Sequence, residues 1–310
     1  MQIFYNLSSL ISEQPTALTI GTFDGVHLGH QQLIRSVVAS ARAMGRRAAL
    51  VTFFPHPSVV LRRAEPFYLT SNEEKLAQLA KLGLDVTVVV EFTQETAQIR
   101  AAQFVNLLIE NLAMRELWIG HDFALGYKRE GSAAFLRAMG VERGYAFYQA
   151  EPVMLDGQPV SSSRIRQALR VGHVRQAAAC LGRPFRLNGR VVQGAQRGRK
   201  LGVPTANLAV WAEHAIPANG IYACRACVGG ATVVRNAVTN IGTRPTFDNG
   251  VRTIETHLLD FDGDLYGQTM TLDLIEYQRP EEKYNSIEAL VAQMREDIRV
   301  ARKILSQANM

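Results

Sequence analysis

Apolar and polar positions follow two different rhythms along this chain. Up to about residue 180, short apolar runs alternate with stretches of helical period. The runs are "ALTIG", "RRAALVTFF", "DVTVVVEF", "RELWIG" and "GYAFYQAEPV". Between most of them lie "HQQLIRSVVASARAM", "NEEKLAQLAKLG", "AQFVNLLIENLA" and "SAAFLRAMGVE". Strand–helix–strand alternation predicts an α/β domain with a parallel sheet and helices on both faces. Such sheets bind ligands beyond the carboxyl ends of their strands. The stretch "GTFDGVHLGH", Gly21 to His30, falls there.

Two further helical stretches, "SSRIRQALRVG" and "VRQAAACLG", close this half, and "GRPFRLNG" then breaks the pattern. Domains of residues 1–184 and 185–310 are expected. In the second, "FRLNGRVVQG", "GIYACRACVG", "ATVVRNAVTNIG", "RTIETHLLDF" and "QTMTLDLIEYQ" read as strands. No helices separate them, and turns such as Gly229-Gly230 and Asp262-Gly263 do, so a small all-β barrel or sandwich is predicted. The closing "SIEALVAQMREDIRVARKIL" has helical period and is expected to pack on it.

Composition narrows the class. The 310 residues are 47% hydrophobic and 20% charged, which suits a globular protein of two domains. No apolar run approaches the ~18–20 residues of a membrane-spanning helix. The N-terminus has no basic n-region or cleavage site. A cytoplasmic protein with no membrane partner is expected. Three cysteines, Cys180, Cys224 and Cys227, argue against a disulfide framework. Cys224 and Cys227 form a lone CxxC, but on a strand that spacing sends the side chains to opposite faces. The net charge is +6, from 18 basic and 15 acidic residues up to Gly182 and 16 and 13 after it. Such a surplus suits anionic substrates or nucleic acid. With 8% aromatics and no basic–aromatic cluster to stack bases, no nucleic-acid partner is expected.

Two stretches carry chemistry. A helix N-terminus presents unpaired N–H groups and the positive end of a dipole to an anion. His30 is predicted in such a first turn and His27 in the loop before it, with Gly29 letting a ligand approach the backbone. Two imidazoles aimed at one phosphate can stabilise charge in a nucleotidyl transfer. "VSSSRIRQAL" adds serines at a second helix start, with Arg164 and Arg166 able to grip phosphate. In the second half, "VVQGAQRGRKLGVPTANL" sets Gly194, Gly198 and Gly202 among Arg197, Arg199 and Lys200. Such a loop can wrap phosphates without being a P-loop. Thr205 and Asn207 offer hard oxygen ligands of the kind Mg²⁺ takes. Glu255 in "TIETHLLDF" shares a strand face with Thr253 and His257 and can accept a proton from a substrate hydroxyl.

Together "GTFDGVHLGH", "TFFPHP", "GHDFALGYKREGS" and "VSSSRIR" resemble the FMN adenylyltransferase module of bacterial bifunctional riboflavin kinase/FAD synthetases. Leu125 and Ser132 depart from that module's pattern, where Phe and Asp are usual. "GAQRGRKLGVPTAN", "GIYA", "NIGTRPTF" and "ETHLLDFDGDLYG" resemble the riboflavin kinase module of the same family. The resemblance implies a Rossmann-like HxGH domain followed by a kinase barrel. Its implied substrates are riboflavin, FMN, FAD and ATP, with Mg²⁺ as cofactor. It implies catalytic roles for His27, His30 and Glu255. Nucleotide contacts are implied for Gly21, Phe23, Asp24, Gly29, Ser162, Arg166, Gly194, Arg199, Lys200, Thr205 and Asn207. Thr205 and Asn207 would also hold the metal. Flavin contacts are implied for His56, Asp122, Phe123, Arg244 and Arg252. Two rival readings are an HxGH nucleotidyltransferase for another phosphate ester and a non-enzymatic RNA-binding barrel. Nothing in the pattern sets an oligomeric state.

Overall fold

A computed structural model describes residues 1–7, 11–61, 67–194, 198, 201–230, 233–243 and 252–308. The chain divides into two compact units, Met1–Ser162 and Ser163–Met310.

In the first unit the elements run β1 (Gln2–Phe4), β2 (Thr16–Ile20), α1 (Leu28–Ala43), β3 (Arg47–Phe54), α2 (Pro57–Val60), α3 (Asn72–Ala80) and β4 (Val86–Glu91). They continue with α4 (Ala101–Leu112), β5 (Met114–Ile119), α5 (Ala133–Arg143), β6 (Ala146–Gln149), β7 (Met154–Leu155) and β8 (Gln158–Pro159). Six strands form one sheet in the order β1-β4-β3-β2-β5-β6. Every pair in it is parallel. The doubly wound sheet is therefore the one expected, extended by the three-residue edge strand β1.

Alternation along the strands builds two cores. Leu18 and Ile20 of β2 face one side with Val51, Leu117 and the α4 residues Phe104 and Leu108. Ala17, Ala48 and Leu50 face the other, against Ile34 and Val37 of α1 and Leu79 of α3. Each large side chain buried this way contributes about 1.5–3 kcal/mol. The β2 loop leads through α1 to β3 on one side, while β5 pairs on the other side of β2 and leads through α5 to β6. The order reverses between β2 and β5, so their carboxyl ends flank the switch-point crevice where such sheets take ligands.

The second unit holds most of α6 (Ser162–Arg170), α7 (Val174–Leu181), β9 (Phe185–Val192), β10 (Ala206–Val210), β11 (Gly220–Val228), β12 (Arg235–Thr243), β13 (Arg252–Leu258), β14 (Thr269–Arg279) and α8 (Ile287–Gln307). The six strands close as β10-β13-β12-β11-β14-β9, all antiparallel. The barrel alternative, not the sandwich, is the one formed. Its interior takes Tyr222, Cys224, Ile254 and Leu272, all buried. Cys224 is buried and Cys227 half-buried, as opposite faces of β11 require. Burial pushes the Cys224 thiol up to about 12, so it stays protonated. Helix α8 packs outside, setting Ala301 and Leu305 against Ala223, Val238 and Ile275.

The more buried of two ion pairs that tie α8 to the barrel joins Arg279 and Asp297; the other joins Arg302 and the exposed Asp260. Asp297, 6% exposed, takes two bonds from Arg279 of β14, at 2.8 and 2.7 Å, and one from Gln293 at 3.0 Å. Removing the carboxylate strands a guanidinium that is largely out of water. Asp297→Ala is expected to destabilise the barrel unit by about 3 kcal/mol, read as a lower urea midpoint from probes on that unit. A midpoint unchanged from wild type would show that this pair adds nothing to the hold on α8.

Candidate active sites

The first site sits at the carboxyl end of β2. Residues 21–27 leave the strand in a tight path, with positive φ at Phe23 (50°), Gly25 (79°) and Val26 (41°). His27 caps α1, its Nδ1 accepting the His30 N–H at 3.3 Å. A ring that accepts at Nδ1 carries its proton on Nε2. The two imidazoles stack with centroids 3.6 Å apart, and Phe23 meets His30 edge-on at 5.1 Å. Gly29 permits this arrangement, since a Cβ there would stand 3.1 Å from the His27 ring.

Asp24 lies beneath the histidines, 4% exposed. Its carboxylate accepts Leu69 N–H at 3.0 and 3.1 Å and Thr70 N–H at 3.3 Å. Its carbonyl accepts the Ser162 hydroxyl at 2.9 Å. Asp24 therefore pins the loop to the segment before α3, and Ser162, the first helical residue of α6, spends its hydroxyl on that same loop. Lys75 of α3, which the pattern did not single out, returns the tie. Its ammonium, 4% exposed, reaches Thr52 Oγ1 and Phe53 O at 3.2 Å and Thr22 O at 3.5 Å. Burial pushes it down to about 8 despite the nearby Asp24 charge. A charged residue four before Leu79, on the buried side of an amphipathic helix, was the available signal.

His56 begins α2 and accepts the Ser58 N–H at Nδ1, while its own N–H donates to the Tyr68 hydroxyl at 2.8 Å. It lines a small cavity of mixed character with Asp24, Phe53, Phe54, Tyr68 and Lys75. Asp122 follows β5 and is exposed; its carbonyl accepts Arg129 at 2.8 Å. Phe123 packs against the core. The two departures from the family pattern have structural places. Leu125 is buried in that core, and Ser132 caps α5 through the Phe135 N–H. Arg164 and Arg166 lie on α6, in the second unit.

The second site lies on the outer face of the barrel. Thr239 and Thr256 join hydroxyls inside it at 3.0 Å, so their neighbours Asn240 and Glu255 face out. Asn207 stands opposite Glu255 in the β10–β13 register. Gly194 lies under the Asn207 amide, so close that a Cβ would collide with it, and a Cβ at Gly198 would collide with the Val203 carbonyl and stand 3.2 Å from Thr205 Oγ1. His257, two residues on, bonds the Pro204 carbonyl through Nδ1 at 2.7 Å and ties β13 to the segment before Thr205. Arg252 turns elsewhere than toward the row. Its guanidinium bonds Asn219 Oδ1 at 3.0 Å, Ile216 O at 2.9 Å and Pro217 O. Arg199, Lys200 and Arg244 lie outside the described residues.

A riboflavin kinase family model matches residues 181–305, and an FAD synthetase family model matches residues 10–164. A bifunctional riboflavin kinase/FMN adenylyltransferase of Listeria monocytogenes is 36% identical over 288 residues, covering 90% of this chain and 89% of its own. One of Escherichia coli K12 is 35% identical, covering 96% and 95%. The chain belongs to the bifunctional riboflavin kinase/FMN adenylyltransferase family. The Bacillus subtilis member is 36% identical, covering 93% and 92%. A crystal structure named as a macrolide-efflux protein from Streptococcus pneumoniae matches with a TM-score of 0.89 and 28% identity, covering 97% of this chain and 98% of that one. Among the described residues no helix is long and apolar enough to cross a membrane.

His30 gives this site a pH signature. Burial, then the His27 and Lys75 charges, hold its imidazole well below its ordinary value of 6.5. The unfolded chain therefore binds a proton near pH 6.5 that the folded chain refuses. The stability held above pH 6.5 is lost as pH falls toward the folded value. A His30 ring resonance, assigned by its absence in His30→Gln, is expected to keep its neutral shift at pH 6.5. Half-titration at that pH would contradict the buried, neutral ring.

Proposed function

We propose that the two sites divide flavin cofactor synthesis between them. Family membership makes the chain a bifunctional enzyme that converts riboflavin to FMN and FMN to FAD. By sequence pattern the adenylyltransferase module takes residues 1–184 and the kinase module residues 185–310. The observation that carries the assignment is Asn207 set opposite Glu255 across β10 and β13, with Thr205 just before the strand.

At the barrel, the riboflavin 5′-hydroxyl attacks the γ-phosphorus of ATP. A phosphorus–oxygen bond forms to the ribityl chain, the bond to ADP breaks, and Glu255 takes the hydroxyl proton. Thr205 and Asn207 supply hard, neutral oxygens, and the missing Cβ atoms at Gly194 and Gly198 keep the backbone beneath them low. This donor set fits Mg²⁺ better than a soft metal, and among the described residues no group of three His, Cys, Asp or Glu side chains forms another metal cluster. Mg²⁺ bound there neutralises phosphate charge.

At the sheet, an FMN phosphate oxygen attacks the α-phosphorus of a second ATP and pyrophosphate leaves with the electron pair. The N–H groups of α1 face the phosphates. His27 donates from Nε2, and neutral His30 stands stacked beside it where negative charge grows. Asp24 and Lys75 bring the β2 and β3 loops to one geometry without touching the reacting atoms. His56, in the wall of the adjoining cavity, borders the flavin side.

The two activities are separable by single substitutions. Glu255→Gln is expected to lower FMN formation by about 10²–10⁴-fold while FMN adenylylation continues. His30→Ala is expected to lower adenylylation by about 10²–10³-fold and spare the kinase. Separate rate measurements from riboflavin and from FMN check both. Joint loss in either folded variant would rule out independent sites.

A further inference from the structure

The polar row on the barrel's outer face does not end at Glu255. The register places Asn240 of β12 directly opposite Glu255, on the side away from Asn207. Opposed residues of antiparallel strands share a face. The row therefore reads Asn207, Glu255, Asn240, at the roughly 4.8 Å spacing of neighbouring strands. Its next position is Ile221 of β11, which is buried and apolar. The polar ledge thus has two ends: hard oxygen ligands at one, and Asn240 before an apolar wall at the other.

Asn240 is unsatisfied where it stands. Its Oδ1 is buried and has no hydrogen-bond partner among the described residues. Buried side-chain acceptors normally find a partner. An amide carries acceptor and donor sites together, which matches a hydroxyl. The order along the ledge says whose hydroxyl it is. If phosphate lies over Asn207 and the attacked 5′-hydroxyl over Glu255, the rest of the acceptor extends over Asn240.

On the kinase reading of this face, we infer that Asn240 binds a secondary hydroxyl of the ribityl chain, next to the 5′-hydroxyl that is phosphorylated, and so sets specificity for a polyol acceptor. Glu255 handles the reacting oxygen and Asn240 fixes the chain that carries it. Loss of the amide should weaken flavin binding and leave ATP binding alone, because Asn207 and Thr205 lie at the other end of the row.

The test is acceptor discrimination. Full-length wild type, Asn240→Ala and Asn240→Ser are assayed with riboflavin, 4′-deoxyriboflavin and 3′-deoxyriboflavin under saturating ATP. Wild type is expected to prefer riboflavin over at least one deoxy analogue by about tenfold in kcat/KM, the worth of one well-made hydrogen bond. Asn240→Ala should erase that preference, raising KM for riboflavin and not for ATP. Asn240→Ser, which keeps one hydroxyl, should restore part of it. An unchanged KM for ATP in the kinase reaction and an unchanged urea midpoint of the barrel unit report folding. Wild-type discrimination against both analogues in either folded variant would overturn the assignment, as would an equal fall in kcat on all three acceptors. Failure of wild type to phosphorylate riboflavin at all would overturn the kinase reading and this assignment with it.

Discussion

Both sites depend on side chains lying directly on backbone that carries no Cβ. In the first unit the His27 ring covers Gly29, and in the barrel the Asn207 amide covers Gly194. An alanine at either position would push the functional group off its support. The approach also brings main-chain N–H groups within reach of whatever the side chain holds. Phosphate recognition wants this combination, since N–H groups and a side-chain donor or metal ligand then act on one anion. Two unrelated architectures, a parallel sheet and a closed antiparallel barrel, meet one constraint with glycine.

What lies beneath each site differs. The HxGH loop leaves β2 through residues of positive φ and is braced by reciprocal ties. Asp24 reaches out to the Leu69 and Thr70 N–H groups, and Lys75 reaches back to the Thr22 carbonyl. Asp24 acts on Lys75, and Lys75 acts in turn on His30, whose neutrality follows from its burial and its cationic neighbours. The barrel site needs less bracing because strand register supplies it. Asn207, Glu255 and Asn240 are aligned by backbone hydrogen bonds of three neighbouring strands. A one-residue slip of any of these strands would turn its member of the row inward.

The legible parts of the sequence are those with a strong period or a compact motif. The four longer helices of the first unit, its strands β2 to β6 and five of the six barrel strands follow from alternation. The first site announces itself because its histidines are three residues apart at a strand end. Residues brought together from distant strands are harder to see. Asn240 and Glu255 lie fifteen positions apart and meet only through the register, so "NIGTRPTF" and "ETHL" read as separate motifs. Lys75 looks like one more charge in "NEEKLAQLAK" until the helix turns it inward. Strand β1 is three residues long, and β10 begins within "PTAN", whose chemistry masks its extended backbone. Arg252 is implied as a flavin contact, and nothing in the sequence shows that its guanidinium bonds the carbonyls of residues 216 and 217 and the Asn219 side chain.

The central claim is that one chain carries two working sites in series. The most direct measurement is a chromatographic product assay on the purified full-length protein with Mg²⁺-ATP, given riboflavin in one reaction and FMN in the other. FMN followed by FAD is expected in the first and FAD in the second. FMN alone in the first, with no product from FMN in the second, would contradict the assignment of adenylyl transfer to the HxGH unit.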